Sequence, residues 1–207
     1  MKTFAFIFAR GGSKGIPNKN IKKIMNKPLI FYSIQIAKKI KQIDKCLVST
    51  DSNKIAEIAE KFGAIVIKRP KKLARDYSNE WDAWQHAIKF TYRKIGKFDR
   101  FISLPPTCPL RNTQDVKKSL LALDENTDFV VTMSIAKRDP SFNMVKLKKN
   151  GYLNLINRNR SKIIRRQDSS DIYDLTTGCY VSRPNFILKR QHFWGSKVRG
   201  VLMPEER

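Results

Sequence analysis

The chain has 207 residues, 41% of them hydrophobic, with 42 lysines and arginines against 18 acidic residues for a formal charge of +24. That length suits one α/β domain with a sizeable core and leaves little room for a second. No apolar run approaches a membrane span, and Cys46, Cys108 and Cys179 show neither metal-ligand spacing nor a paired framework, so membrane insertion and a disulfide scaffold are excluded.

The excess of positive charge raises the prospect of a polyanionic partner. Yet the lysines are scattered as Lys22-Lys23, Lys38-Lys39, Lys71-Lys72, Lys117-Lys118 and Lys148-Lys149, with no basic tail and no aromatic stacking pattern. A solvated basic surface is the expectation, nucleic acid is not, and an anionic substrate would be steered inward in either case. The apolar stretch after Met1-Lys2 ends at Arg10 with no small-residue cleavage site, so the protein is expected to be cytosolic with reduced thiols.

Phe4 to Ala9 is too continuously apolar to alternate and reads as a strand buried on both faces. It breaks at Arg10-Gly11-Gly12-Ser13-Lys14-Gly15, and Pro17 to Asn20 continue irregular and basic. Glycines let backbone N–H groups close on a ligand, and a run of such groups makes an anion-binding concavity. With Arg10, Lys14 and Lys19 around it, at the carboxyl end of a first parallel strand, the loop reads as a triphosphate cradle. The spacing is neither that of the P-loop nor that of the dinucleotide fingerprint.

Pro28 opens a helix to Ala37, Asp44 to Thr50 is a second strand, and helix 52–62 follows with Ser52 or Asp51 as N-cap and Gly63 as its stop. Ala64 to Ile67 reads as a short buried strand, Lys68 to Asn79 as a polar loop, and Glu80 to Tyr92 as a helix in which Trp84 belongs to the core. A strand at Asp99 to Leu104, a rigid turn from Pro105 to Arg111, helix 113–123 and strand 128–135 continue the alternation. Such alternation indicates right-handed βαβ units and a parallel sheet. From Ala136 the rhythm changes: short β-like pieces surround Asn150-Gly151, a hairpin signal, before the charged run Asn157 to Asp168. Strand 176–181, helix 184–190 and strand 198–203 close the chain.

The first loop resembles the opening of the acylneuraminate (CMP-sialic acid) cytidylyltransferases, A-R-x-G-S-K-x-[IVL]-x-x-K-N, which Ala9, Arg10, Gly12, Ser13, Lys14, Ile16, Lys19 and Asn20 match. Further along, Val48-Ser49-Thr50-Asp51 is similar to that family's second-strand signature, and Arg69-Pro70 with Leu73-Ala74-x-Asp76 to its cytosine-holding segment. Pro106-Thr107-Cys108-Pro109-Leu110-Arg111 resembles P-T-S-P-L-R, and Arg165-Arg166-Gln167-Asp168 resembles the R-R-Q-D element near the sugar. Tyr173 and Thr177-Gly178-x-Tyr180-Val181 resemble Y-x-x-N-G-x-x-Y-[IV] with a one-residue slip at the last tyrosine.

The resemblance implies a Rossmann-like nucleotidyltransferase fold, an α/β mostly parallel sheet flanked by helices, as one domain over 1–207 with residues 136–171 a projecting dimerisation element. It implies a homodimer that uses CTP to activate a nine-carbon 2-keto-3-deoxy acid sugar, sialic acid or a related nonulosonate, giving CMP-sugar and pyrophosphate. By the same resemblance Arg10, Gly12, Ser13, Lys14, Lys19, Asn20, Arg69 and Ser78 hold the nucleotide. Arg10, Lys14 and Lys19 neutralise charge growing on the leaving pyrophosphate. Arg166, with Arg165 as second choice, meets the sugar carboxylate, since the planar guanidinium fork suits a carboxylate, and Tyr180 reads equally as sugar contact or core. Asp51 reads as an N-cap or a functional carboxylate, and Arg111 as a turn anchor or a site residue.

Pro105 stands where the family commonly has a sugar-contacting glutamine, and Thr177 where it has asparagine. Mg2+ is implied by the family, but the chain reaches Pro204-Glu205-Glu206-Arg207 and stops where the aspartate pair would follow. The metal ligands are therefore not identifiable, Asp51 is the nearest candidate, and a shortened form that binds CTP but turns over poorly is expected. Two other readings are a CMP-Kdo synthetase-like enzyme and a catalytically idle polyanion-binding relative.

Overall fold

The computed structural model describes residues 1–157 and 171–207. Strand β1 (Thr3–Phe8) is an interior strand of the seven-stranded sheet. Its two faces differ in a way the side-chain alternation explains. Ala5 and Ile7 point to one side, Phe4 and Phe6 to the other, and all four are buried. The Ala5–Ile7 face packs against α1 (Leu29–Lys39), α2 (Asn53–Lys61) and α4 (Thr113–Leu121), through Ile30, Ile34, Ile55, Ala59, Val116 and Leu120. The phenylalanine face packs against α3 (Glu80–Lys94) and α5 (Pro184–Lys189), where Trp81, Trp84, Ile88 and Ile187 close a largely aromatic layer. Trp84 is core, as its helical spacing indicates.

The remaining strands are β4 (Lys45–Thr50), β5 (Ile65–Lys68), β6 (Arg100–Ser103), β7 (Phe129–Ile135), β10 (Tyr173–Ser182) and β11 (Val198–Leu202), in the order β11-β7-β10-β6-β1-β4-β5. The β6-β1-β4-β5 run is parallel throughout, as is β11 with β7. Only β10 runs antiparallel, to both of its neighbours. The sheet is thus mostly parallel and covered by helices on both faces. Strand β5 is less buried than its apolar sequence suggests, because it forms the edge and Ile65 is exposed.

Two small sheets stand apart. A hairpin of β2 (Lys23–Ile24) and β3 (Lys27–Pro28) turns through Met25 and Asn26, both with positive φ. Strands β8 (Val145–Leu147) and β9 (Leu153–Leu155) pair around Gly151, which takes φ 83° in the loop, so the Asn150-Gly151 signal does mark a hairpin. Among the described residues no helix is long and apolar enough to cross a membrane, and all three cysteines are buried free thiols.

Between Thr176 and Tyr180 the β10–β7 register shifts, the same interval in which the family motif slips by one residue. Thr132 fills the irregularity: its hydroxyl accepts from the Cys179 N–H at 3.1 Å and from the Thr176 hydroxyl at 2.8 Å. A Cβ at Gly178 would lie 2.8 Å from that same hydroxyl and would also collide with Met203. Arg111, 3% exposed, locks this region from the other side. Its Nη1 donates to the Gly178 and Pro105 carbonyls, the latter at 3.3 Å, and its Nη2 donates to the Ser33 hydroxyl at 2.7 Å. Arg111 is therefore a structural anchor joining β10, the turn after β6 and α1, the first of its two readings.

Removing that guanidinium would take its donor from the Gly178 carbonyl and leave the Ser33 hydroxyl and the Pro105 carbonyl with only their mutual 3.2 Å hydrogen bond. Arg111→Ala is expected to lower unfolding stability by about 3 kcal/mol in urea titration, whereas a loss below about 1 kcal/mol would contradict the anchoring role.

Candidate active site

Parallel strands deliver their following loops to one edge, and here the loops after β1, β5 and β6 meet around an open cavity of about 620 Å³, with the loop after β4 behind the first of them. Arg10, Ser13, Lys14, Lys19, Asn20, Arg69, Ser78 and Tyr180 all line it. Gly12 belongs to the same loop but does not face the cavity, and Asp51 lies behind the loop. Arg165, Arg166, Gln167 and Asp168 fall outside the described residues, so the assignment of the sugar carboxylate to Arg166 or Arg165 rests on the resemblance.

The cradle is braced from behind. The Gly11 N–H donates to Asp51 Oδ1 at 2.9 Å, and a Cβ on Gly11 would meet that of Ser52 at 3.0 Å, so the close approach leaves little room for a side chain there. Ser52, not Asp51, caps α2, accepting from the Ile55 N–H at 3.5 Å. Asn20, buried, donates from Nδ2 to the Arg10 carbonyl at 3.0 Å and ties the far end of the loop, where the chain makes a 3-10 turn over Lys19–Ile21, back to its beginning. Asn18 enters that turn with φ 54°, a left-handed conformation that asparagine tolerates.

Three cations converge from the loops after β1 and β5. Arg10 reaches across to the loop after β5, donating to the Arg75 carbonyl at 3.1 Å and pairing with Asp76 Oδ1 at 3.1 Å. Lys14 Nζ meets Asp76 Oδ2 at 2.7 Å. Hydrogen bonding from Lys14, more than any other influence, holds the Asp76 carboxyl below its ordinary range, with Arg10 adding to it. Arg69 is 7% exposed and immobilised: Nε donates to the Ser49 hydroxyl at 3.1 Å, Nη2 to the Ser49 carbonyl at 2.6 Å, and its guanidinium lies over the Phe8 ring at 5.5 Å. Burial pulls its pKa down to about 10, which still leaves it charged at neutral pH.

Not every assigned side chain is free for a ligand. The Ser78 hydroxyl accepts from the Arg75 N–H at 3.0 Å and donates to the Lys72 carbonyl at 2.9 Å, so it shapes its own turn while facing the cavity. Tyr180 packs against Trp84 and Phe129 and also edges the cavity. Beside it, the hydroxyls of Thr107 and Thr177 are hydrogen bonded at 3.3 Å, and Pro105 completes that wall. Of the two carboxylates on the lining, Asp76 belongs to the Leu73-Ala74-x-Asp76 segment but its pairing with Arg10 and Lys14 is not readable there, and Glu80 is not picked out by motif reading. Glu80 reads in the sequence only as the start of a helix.

Five cationic side chains line the cavity, Arg75 included, against the two carboxylates, which suits a polyanionic ligand. The same residues do not by themselves build a site for magnesium. Among the described residues no three of His, Cys, Asp and Glu come together as ligands, Asp51 uses Oδ1 on Gly11, and Asp76 is committed to Arg10 and Lys14.

Comparison with known proteins agrees with this geometry. The family model described as "Cytidylyltransferase" matches residues 4–195, from β1 to just before β11. The chain is 32% identical over 202 residues to CMP-N,N'-diacetyllegionaminic acid synthase of Campylobacter jejuni, covering 96% of this chain and 85% of that protein. It is 27% identical over 206 residues to N-acylneuraminate cytidylyltransferase of Escherichia coli, covering 99% of this chain but 48% of that protein, about half its length. Among solved structures, CMP:2-keto-3-deoxy-manno-octonic acid synthetase complexed with CTP aligns with a TM-score of 0.71 at 18% identity, over 98% of this chain and 90% of that one, a likeness of fold. With the matched region spanning the cradle, the Asp76 loop and the Tyr180 wall, the chain belongs to the cytidylyltransferase family.

Proposed function

We propose that the protein binds CTP in this cavity and transfers its cytidylyl group to a nine-carbon 2-keto-3-deoxy acid sugar, a sialic acid or related nonulosonate. The observation that carries this reading is the loop after β1. It is a braced, glycine-containing turn with Arg10, Lys14 and Lys19 around an open, net-positive cavity at the carboxyl edge of the sheet. The sequence likeness to enzymes named for legionaminic and acylneuraminic acids supports the substrate class.

In the proposed reaction the anomeric hydroxyl attacks the α-phosphorus, a new P–O bond forms, the bond to pyrophosphate breaks, and the hydroxyl proton is lost to the medium. Negative charge accumulates on the leaving pyrophosphate. Arg10, Lys14 and Lys19 answer that charge, and Ser13 with the loop amides supplies further donors. The Asp76 carboxylate, with one oxygen on Arg10 and the other on Lys14, occupies these cations as two phosphate oxygens would. Binding is then an exchange: the triphosphate takes the cations over, and Asp76 turns out to solvent, where it is already partly exposed.

The same reading makes the protein a cytosolic homodimer. Ile135 (65% exposed), Leu147, Tyr152, Leu153 and Leu175 present apolar surface on the β8–β9 hairpin and the adjoining ends of β7 and β10, the kind of surface that a second copy covers.

Three outcomes are expected. Lys19→Ala weakens CTP binding in calorimetry by roughly 10- to 150-fold, on the order of 1.5–3 kcal/mol for one charge-assisted contact, with melting temperature nearly unchanged; unaltered affinity would remove the cradle. Asp76→Asn tightens pyrophosphate binding by roughly threefold, because two exposed ion pairs no longer compete; weaker binding would mean that Asp76 organises the cations and does not compete for them. Light scattering at micromolar concentration shows a dimer, and a fully active monomer would refute that assembly.

A further inference from the structure

The β2–β3 hairpin lies between the cradle and α1, and the packing of the fold gives no account of its tip. Its two central residues, Met25 and Asn26, take φ 47° and 64°, as a tight two-residue turn requires. Asparagine tolerates that conformation, whereas methionine is strained in it. Yet the fold gains little from Met25 in return: it is 88% exposed, and Ile24 beside it is 42% exposed. A large apolar side chain strained into a turn and held out in solvent points to a contact made outside the molecule.

The tip is presented on a fixed base. The Tyr32 hydroxyl donates to the Ile24 carbonyl, the Leu29 N–H donates to the Lys22 carbonyl at 2.9 Å, and Lys27 Nζ lies 5.5 Å from the centre of the Phe31 ring. The register pairs Ile24 with Lys27 and Lys23 with Pro28, and alternation puts these two pairs on opposite faces of the ribbon. A lysine therefore flanks the apolar tip on each face, with Lys22 at the base. All three lysines are exposed, and none pairs with a carboxylate among the described residues. The charge is also segregated along the chain: residues 1–43 carry ten lysines and arginines and no aspartate or glutamate.

Three kinds of anionic partner could meet such a patch. Nucleic acid is gripped through aromatic stacking as well as charge, and residues 9–28 contain no aromatic side chain. An acidic protein needs a face of about 800 Å² on each side, far more than a two-residue tip offers. An anionic bilayer needs only a few lysines at its headgroups and a small apolar wedge between them. We infer that the β2–β3 hairpin docks the protein on an anionic phospholipid surface, with Met25 and Ile24 seated between headgroups and Lys22, Lys23 and Lys27 on their phosphates. The contact is peripheral, and it stands independently of the proposed cytidylyl transfer. Because the ribbon joins the carboxyl end of β1 to the start of α1, docking brings the cavity edge of the sheet toward the bilayer.

The test is co-sedimentation of the full chain with vesicles of equimolar phosphatidylglycerol and phosphatidylcholine, against phosphatidylcholine alone. Wild type binds only the anionic vesicles, and less as salt is raised. Met25→Asn, which keeps a residue suited to positive φ, lowers the partition coefficient at least about fivefold. Lys22→Gln, Lys23→Gln and Lys27→Gln together lower it roughly a hundredfold, whereas Lys148→Gln with Lys149→Gln on the other hairpin changes it by less than about twofold. Melting temperatures stay as in wild type. Since all three native thiols are buried, Met25→Cys takes a thiol-reactive, environment-sensitive dye selectively, and its emission shifts to the blue on anionic vesicles. Wild type that does not bind, binding that Met25→Asn leaves unchanged, or an equal loss on neutralising Lys148 and Lys149 overturns the inference. So does binding to single-stranded DNA in place of vesicles, which would give the patch to nucleic acid.

Discussion

The parallel register of β1 with its neighbours is the constraint from which the site follows. Pairing Phe8 with Ser49 brings the two strands to an end at the same level, and the ladder runs on into the loops: the Ala9 N–H donates to the Ser49 carbonyl at 3.0 Å and the Arg69 N–H to the Thr50 carbonyl at 2.7 Å. Asp51 thereby arrives beneath Gly11, and Arg69 can reach back to Ser49 with its side chain. A slip of one residue would turn the Phe4–Phe6 and Ala5–Ile7 faces over and pull these loops apart. The two unlike cores, one aliphatic and one aromatic, are what hold the register.

Charge is organised on two scales. The chain's large positive balance sits mostly in solvated lysines, where each charge contributes little locally but together they bias anions toward the molecule. At the cavity a few cations are fixed by specific geometry instead. Arg69 is buried and tied by hydrogen bonds, so its desolvation is offset within the fold. Arg10 and Lys14 are more exposed, Lys14 held by Asp76 and Arg10 by Asp76 and the Arg75 carbonyl, which leaves them available to a stronger anion. One cavity thus contains a rigid cation and two exchangeable ones.

Much of this was legible in the residues. The apolar run 4–9 and the strand–helix alternation specify a parallel sheet because burial on both faces leaves an unmistakable pattern, and the glycine-basic loop marks the ligand edge. What stayed hidden depends on contacts between distant segments. Arg111 reads alone as either an anchor or a site residue, and only its buried partners on β10 and α1 decide. Asp51 looks like a helix cap because it precedes Ser52, yet its carboxylate braces a glycine 40 residues away. Asp76 and Glu80 sit in or beside a polar loop whose composition says nothing about which carboxylate faces which cation. The β2–β3 hairpin escapes notice because its turn uses Met25-Asn26, without the glycine that normally marks such turns. Strand β5 is misjudged as fully buried because sequence does not reveal which strand forms the edge.

The central claim is that the loop after β1 receives a triphosphate. Backbone amide NMR during a CTP titration tests it most directly, since it reports where the ligand sits independently of turnover. The account predicts the largest saturable shifts at Gly12, Ser13, Lys14 and Gly15, with further shifts across residues 75–78 as Asp76 gives up its cations, and a silent β8–β9 hairpin. Saturable shifts that leave the 11–20 loop unmoved would contradict it.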